Sequence, residues 1–271
     1  MGKIDVKTIN GNKIYYNKAF DIISNSPVDG TAFSNESLYV RTVPDGVYDI
    51  CIEITTKCNQ RCRNCFAFST PATGKELDYD YIANIISKAS KDKIRIGITG
   101  GEPFFHSRIR DILALASKFQ NVNFMISSNG NFELTSEIAQ LLVDGDWLLS
   151  LSLHGRKTPH NMYTESQGFD NVINKIQTLN DKIVIHIYSV INKFMTKEDV
   201  DYLLELQNQY RIFYTRFIIP RNVGRVDFDY DTSLVAYINE RVIGMSKAGI
   251  KKEYSHTEMI NVDGIGRIMD K

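Results

Sequence analysis

The chain has 271 residues, 43% of them hydrophobic and 24% charged, a balance that supports one or two folded domains with a substantial core and excludes a disordered or fibrous polymer. Lysine plus arginine and aspartate plus glutamate both number 32, so no net charge draws the whole chain to nucleic acid or to an anionic membrane. The opening MGKIDVKTIN lacks the apolar core of a signal peptide, and no apolar run approaches the roughly 18 residues of a membrane span; with the sparse cysteines, this sets the expectation of a cytoplasmic protein that engages neither nucleic acid nor membrane.

Residues 1–46 read as an N-terminal extension. Asn10-Gly11 lies between two alternating runs, which predicts a hairpin, and the turn-rich stretch from Ser24 to Ser37 predicts irregular chain. Two roles stay open for the hairpin, a cover over the barrel described next or a flap that touches substrate; it is too short for an independent peptide-recognition domain.

From Tyr48 the pattern becomes strand then helix, six times over. Strands are predicted near 48–54, 93–98, 122–127, 147–153, 183–191 and 213–219, and amphipathic helices near 78–90, 107–119, 135–143, 169–179, 196–209 and 230–246, with a loop over 157–168. This alternation predicts an α/β fold with a parallel sheet and right-handed crossovers, and six units rather than eight predict an open, partial (β/α)6 TIM-like barrel. The core then spans 47–228, and 229–271 forms a C-terminal extension of a helix and one or two strands around Asp263-Gly264.

The strands alternate where a filled barrel would be apolar on both faces. Ile50, Ile52 and Ile54 alternate with Cys51 and Glu53; Ile94, Ile96 and Ile98 with Arg95 and Gly97; Leu149, Leu151 and Leu153 with Ser150 and Ser152; Ile183, Ile185 and Ile187 with His186 and Tyr188. Successive side chains point to opposite faces, so the aliphatic sets should meet the helices and the polar sets should line a lumen. The competing arrangement, a one-sided sheet with its polar face in water, fits poorly with a helix after every strand.

Between the first strand and the first helix lies TTKCNQRCRNCF, Thr55 to Phe66, in which Cys58, Cys62 and Cys65 are spaced C-x3-C-x2-C; Cys51 is the only other cysteine. Three grouped thiols in a reducing compartment point to metal ligation rather than disulfides. They are too few to close a tetrahedral zinc site, and no histidine follows at finger spacing, whereas soft thiolates suit iron–sulfur clusters. A four-iron cluster on three cysteines leaves one iron open to a small molecule. Other motifs fall at strand ends, where sites in α/β folds collect: Gly100-Gly101-Glu102-Pro103 after the second strand, Ser127-Ser128-Asn129-Gly130 after the third, and Ser152 at the end of the fourth. Each also has a structural reading, as a tight turn for the first two. His154 and His160 read as hydrogen-bonded structural groups.

The cysteine spacing, with Asn59 after the first cysteine and the aromatic Phe66 after the last, resembles the signature of the radical S-adenosylmethionine (radical SAM) enzymes, and the motifs follow in the family's order over roughly residues 48–225. The resemblance implies one [4Fe-4S] cluster on Cys58, Cys62 and Cys65, with SAM chelating the open iron. It implies that Asn64, Phe66, Gly100, Gly101, Glu102, Ser127, Asn129, Ser152 and Ile219 contact these cofactors, Gly101 and Glu102 at the methionine amino group. It implies that a low-potential donor such as flavodoxin or ferredoxin supplies an electron, and that a 5′-deoxyadenosyl radical takes a hydrogen atom from substrate. No cysteine follows Cys65, so these residues hold no ligands for a second cluster. Cys51, Glu53, His186 and Tyr188, on lumen-facing positions, are the candidates to exchange a hydrogen or proton with substrate; the default reading of Cys51 is an inert small hydrophobe. Arg216, Arg221 and Arg225 are either an anion site or a solvated rim. Three functions stay open: modification of a peptide or peptide-like substrate, epimerisation among them; action on a small metabolite such as a nucleotide or sugar derivative; and a non-catalytic iron–sulfur redox protein, against which the Gly100-Gly101-Glu102 motif counts.

Overall fold

The computed structural model describes residues 4–19, 21–25, 27, 48–72, 74–220, 224–225 and 229–242, and beyond them the backbone of three strands at 248–251, 258–260 and 266–268. Most of the irregular segment expected at 24–37, Arg221, the end of the helix expected to reach 246 and the turn at Asp263-Gly264 lie outside the described residues.

Six parallel strands, β4 (Asp49–Glu53), β5 (Arg95–Thr99), β6 (Asn123–Ser128), β7 (Leu148–Ser152), β8 (Val184–Val190) and β9 (Ile212–Ile218), pair in sequence order, and among the described residues β4 does not pair with β9, so the barrel is open. The helices between them are α1 (Tyr79–Asp92), α2 (Ile109–Leu115), α3 (Ser136–Asp144), α4 (Lys157–Thr164), α5 (Phe169–Leu179) and α6 (Lys197–Gln209), with α7 (Thr232–Val242) after β9. Local chemistry sets their starts. Asp78 caps α1 by accepting from Asp80 N and Tyr81 N at 2.9 and 3.2 Å, and Thr135 Oγ1 accepts from Ile138 N at 3.2 Å to cap α3, satisfying amide donors that have no partner within the helix.

The aliphatic strand faces pack outward, as expected. Ile52, Ile96, Ile98, Ile126, Leu149, Leu151, Ile185 and Ile187 are buried with Ile82 and Ile86 of α1, Ile112 of α2, Leu142 of α3, Val172 and Ile176 of α5 and Leu203 of α6. At about 1.5–3 kcal/mol for each fully buried aliphatic side chain, this layer is the main stabiliser of the barrel. The expected loop at 157–168 is instead mostly α4, which buries Pro159, His160, Tyr163 and Thr164 and ends at Glu165 in the left-handed region (φ 48°). Its proline, a loop signal in the sequence, sits at the third helical position, where no helical hydrogen bond is lost.

Both edges of the sheet are extended. β10 (Ala248–Lys251) pairs parallel to β9, and β11 (Glu258–Ile260) pairs parallel to β4 and antiparallel to β12 (Gly266–Ile268).

The N-terminal residues form a separate three-stranded sheet, β1 (Ile4–Ile9), β2 (Asn12–Asn17) and β3 (Ile22–Ser24). Asn10 and Gly11 both take positive φ (50° and 80°), the turn that a two-residue hairpin favours. Ile9, Ile14 and Tyr16 bury against Tyr48 and Ile94, immediately ahead of β4 and β5, and Lys18 pairs with Asp146, ahead of β7. The sheet therefore covers the N-terminal end of the barrel, opposite the end where strands deliver the motifs; of the two roles considered, it is the cover.

From this cover Asp21 enters the lumen. Its carboxylate pairs with Arg95, which also pairs with Asp49, lies 3.8 Å from Arg216 and accepts from Tyr16 at 2.9 Å. Burial would raise the Asp21 pKa, but Arg95 and then Arg216 hold it down at about 2. Two carboxylates and two guanidiniums thus fill the barrel floor. The polar lumen is divided: its lower part is an internal ion network, which Tyr188 joins through Arg216, and the half-buried inward positions Cys51, Ser127 and Ser152 lie nearer the motif end.

Candidate functional site

At the C-terminal end of the barrel the chain leaving β4 runs beside the chain leaving β5. Ile54 N donates to Thr99 O at 2.9 Å, Gly101 N to Thr55 O and Glu102 N to Lys57 O, both at 2.7 Å. A Cβ on Gly100 would run into the Thr55 carbonyl, and one on Gly101 into that of Lys57. The sequence reading has the paired glycines letting backbone approach a ligand; the backbone they admit here is that of the segment entering the cysteine loop.

Glu102 is completely buried. Its carboxylate accepts from Ser128 Oγ at 2.8 Å, Asn129 N at 2.7 Å and Phe104 N at 3.2 Å. Burial pushes its pKa up to about 7, against the pull of those donors. Where the resemblance implies a partner for an ammonium, the side chain ties the glycine loop to the Ser127–Gly130 loop.

The cysteine loop is held from every side. Arg61 N and Arg63 N donate to Thr164 O and Tyr163 O, at the end of α4, at 3.1 and 3.2 Å. Asn59 Nδ2 donates to Asn131 O at 2.6 Å, and Asn129 Nδ2 donates to Asn59 Oδ1 at 2.9 Å and lies 3.6 Å from Cys58 Sγ. Arg225 donates three times, from N to Cys65 O (2.8 Å), from Nη1 to Cys62 O (2.8 Å) and from Nη2 to Ser69 O (2.7 Å). Sequence alone does not reveal this clamp, since Arg225 reads there as an anion ligand or a solvated rim.

Cys58, Cys62 and Cys65 are partly buried and lie within electrostatic reach of one another. Burial pushes the Cys58 thiol up to about 11, with Glu102 and Cys65 adding to it; burial, then Cys65 and Cys58, push Cys62 well above the usual thiol range. Three thiolates at this place need a cationic centre to offset their charge. Among the described residues no three His, Cys, Asp or Glu side chains converge on a single metal ion; a four-iron cluster differs in taking each thiolate on a separate iron, so a wider trio with one iron left open fits the donor set.

The remaining candidates fall into two groups. Ser127 and Ser152 are half-buried at inward positions near the strand ends, with Cys51 deeper on β4 opposite Gly97, whose Cβ would stand 3.2 Å from the Cys51 sulfur. Glu53 is buried on the same strand, Asn64 is half-buried in the cysteine loop, Phe66 is 44% exposed, and Ile219 packs half-buried against the core. His186 and Tyr188 are engaged with the floor: His186 Nε2 lies 2.7 Å from Ala19 O, and Tyr188 Oη accepts from Arg216 at 2.8 Å and lies 3.4 Å from Asp21. His154 Nδ1 accepts from Val190 N at 3.0 Å and His160 Nδ1 from His154 N at 3.3 Å; burial lowers both pKa values, that of His160 to about 4, as expected of structural histidines.

The chain is 30% identical over 166 residues, 57% of its length and 46% of the other's, to the tungsten-containing aldehyde ferredoxin oxidoreductase cofactor-modifying protein of Pyrococcus furiosus. It is 25% identical over 166 residues (58% and 51%) to GTP 3',8-cyclase of Campylobacter fetus, and 26% identical over 161 residues (58% and 39%) to the sporulation killing factor maturation protein SkfB of Bacillus subtilis. The chain spans about half the length of these curated relatives. Its fold is similar to that of Streptococcus suis SuiB, solved with S-adenosylmethionine (TM-score 0.72, 13% identity) and with the precursor peptide SuiA (0.70, 14%), each covering 96% of this chain and 80% of that one. The family model described as Radical SAM superfamily matches residues 52–206, more than half of the chain, and the chain belongs to the radical SAM superfamily.

Proposed function

We propose that this protein is a radical SAM enzyme holding one [4Fe-4S] cluster on Cys58, Cys62 and Cys65, and that it acts on a peptide or peptide-like substrate entering the motif end of the barrel. The observation that carries the reading is the joining of three loops into one frame: Gly101 and Glu102 bond to the entry of the cysteine loop, and the Glu102 carboxylate and Asn129 link both to the third strand's end. When bound, the cluster and SAM supply one-electron reductive cleavage of the sulfonium and an oxidant able to take hydrogen from carbon. The chain's own residues orient and enclose. The glycine and Asn129 loops offer backbone and side-chain groups to SAM, Ser127 and Ser152 stand at inward positions for its polar ends, Ile219 offers an apolar surface, and the ion network seals the floor. The core of this activity is assigned to 47–228, flanked by the extensions 1–46 and 229–271.

The peptide reading is supported by SkfB among the relatives and by the SuiB fold solved with a precursor peptide. A second reading, a small metabolite such as a nucleotide, is favoured by the similarity to GTP 3',8-cyclase. Anaerobically reconstituted protein with dithionite should convert SAM to 5′-deoxyadenosine and methionine, and a variant with all three cysteines changed to alanine should not. Absence of cleavage by cluster-loaded wild type, with candidate peptides and nucleotides each supplied, would refute the enzymatic reading; stimulation by nucleotides but not by peptides would decide for the second substrate class.

A further inference from the structure

Lys175, on α5, is only 3% exposed, although lysine is almost never buried without a partner. Its Nζ lies 4.8 Å from the centre of the Phe132 ring, and among the described residues no hydrogen bond or ion pair reaches it. Helical side chains lean toward the helix N-terminus, which in a barrel helix is the end that carries the motifs. The stem of Lys175 therefore climbs toward the loop after β6.

That loop is packed on α5. Gly130 has no room for a Cβ, which would stand 2.8 Å from Val172 Cγ2, and Asn171 Nδ2 donates to Asn131 Oδ1 at 2.7 Å. Phe132 stacks on Phe104, with centroids 3.6 Å apart. Phe104 belongs to the turn that begins at Glu102, so Lys175, Phe132, Phe104 and Glu102 form one buried group. Burial lowers the Lys175 pKa while Glu102 pulls it up. Glu102 also pushes up the Cys58 thiol, while its hydrogen-bond donors Ser128, Asn129 and Phe104 are neutral.

The Glu102 carboxylate accepts from three donors. If it were protonated it would bring a hydrogen to a place where acceptors are needed, and the bonds joining the 100–105 and 127–131 loops would weaken. We propose that Lys175 is the counter-charge of Glu102, a positioning residue that favours the ionised form of this carboxylate against its burial and so holds the two loops in the arrangement SAM requires. The two charges need not touch for this, because a buried pair is screened by solvent and salt far less than an exposed one. The inference rests on the assignment of these loops to SAM.

The test is SAM titration into anaerobically reconstituted full-length protein, in wild type, Lys175→Met, Lys175→Arg, Glu102→Gln and the double variant Glu102→Gln/Lys175→Met. Lys175→Met should weaken SAM binding about tenfold, Lys175→Arg should stay within about twofold, and Lys175→Met made on Glu102→Gln should cost less than about twofold. Equal losses for Met and Arg, or an undiminished loss on the Glu102→Gln background, would overturn the proposal. If wild type binds no SAM, the functional assignment of the loops fails instead. The charge pairing is then decided by thermal unfolding of the cluster-free variants: Lys175→Met should lower Tm by several degrees when Glu102 is present and by much less on the Glu102→Gln background, and equal losses would again overturn it.

Discussion

Single residues join pieces of chain that the sequence keeps far apart. Arg225 is the clearest case, since its guanidinium bonds to Cys62 O across 163 positions and to Ser69 O across 156. No local motif marks such a residue; an arginine near a strand end reads equally as an anion ligand, a rim or a clamp, and only the folded distances choose. Arg225→Gln removes two charged hydrogen bonds to the cysteine loop, each worth about 1.5–3 kcal/mol. The reconstituted variant should lose its cluster about tenfold faster on air exposure, followed by bleaching of the visible absorbance, while the cluster-free protein keeps its Tm within a few degrees. Bleaching at the wild-type rate would show that the clamp does not support the cluster. Cys51 is the opposite case, legible as inward-facing from strand alternation and found partly accessible there. If its thiol returns a hydrogen atom to the substrate, Cys51→Ala should still cleave SAM but change the product, as read by mass spectrometry after reaction in deuterated water; an identical product at an identical rate would leave the thiol a packing group.

At the level of elements, the six strands and the helices after them were readable because each carries a period of its own, two for a strand and 3.6 for a helix. α4 was not, because its eight residues are too few for a period to emerge and Pro159 reads as a break. The N-terminal sheet was readable as a hairpin, but its place was not, since placement depends on Asp21 meeting Arg95 and Arg216 inside the barrel. That network makes the cover more than an apolar lid. Asp21→Asn leaves Arg95 and Arg216 facing Asp49 with one negative charge too few, and breaking a buried pair in this way costs about 3–5 kcal/mol. Urea unfolding should show that loss at pH 7. Because Asp21 is held at about 2 in the folded protein, below its ordinary value, its contribution is present above about pH 4 and lost as pH falls from there to 2, so the variant and wild type should converge in stability near pH 2. A stability gap unchanged down to that pH would refute the assignment.

For the molecule as a whole, the buried titratable groups set an acid profile that is not a simple slope. His160 is lowered to about 4, so the unfolded chain binds its proton more readily and stability falls as pH drops from about 6.5 to 4. Glu102 is raised to about 7, so the folded state binds the proton first and stability rises as pH drops from about 7 to 4.5. The two effects oppose each other over nearly the same window. Burial lowers His154 and His186 as well, so the histidines outweigh the one raised carboxyl: the cluster-free protein should lose stability as pH falls below about 6.5, and lose more between about pH 4 and 2, where the contribution of Asp21 goes; stability in urea titrations that stays constant from pH 7 to 4.5 would contradict this. The sequence by itself determined the open parallel barrel, its aliphatic outer face and the cysteine, glycine and asparagine motifs at the strand ends, because periodicity and spacing are local and survive without tertiary contact. Tertiary structure alone decided that the floor is an ion network fed by the N-terminal sheet, that Glu102 turns inward to bind the chain itself, and that Arg225 clamps the cysteine loop. Each of these rests on charges brought together from distant positions, where burial makes a partner obligatory and the order of residues does not say which partner it will be.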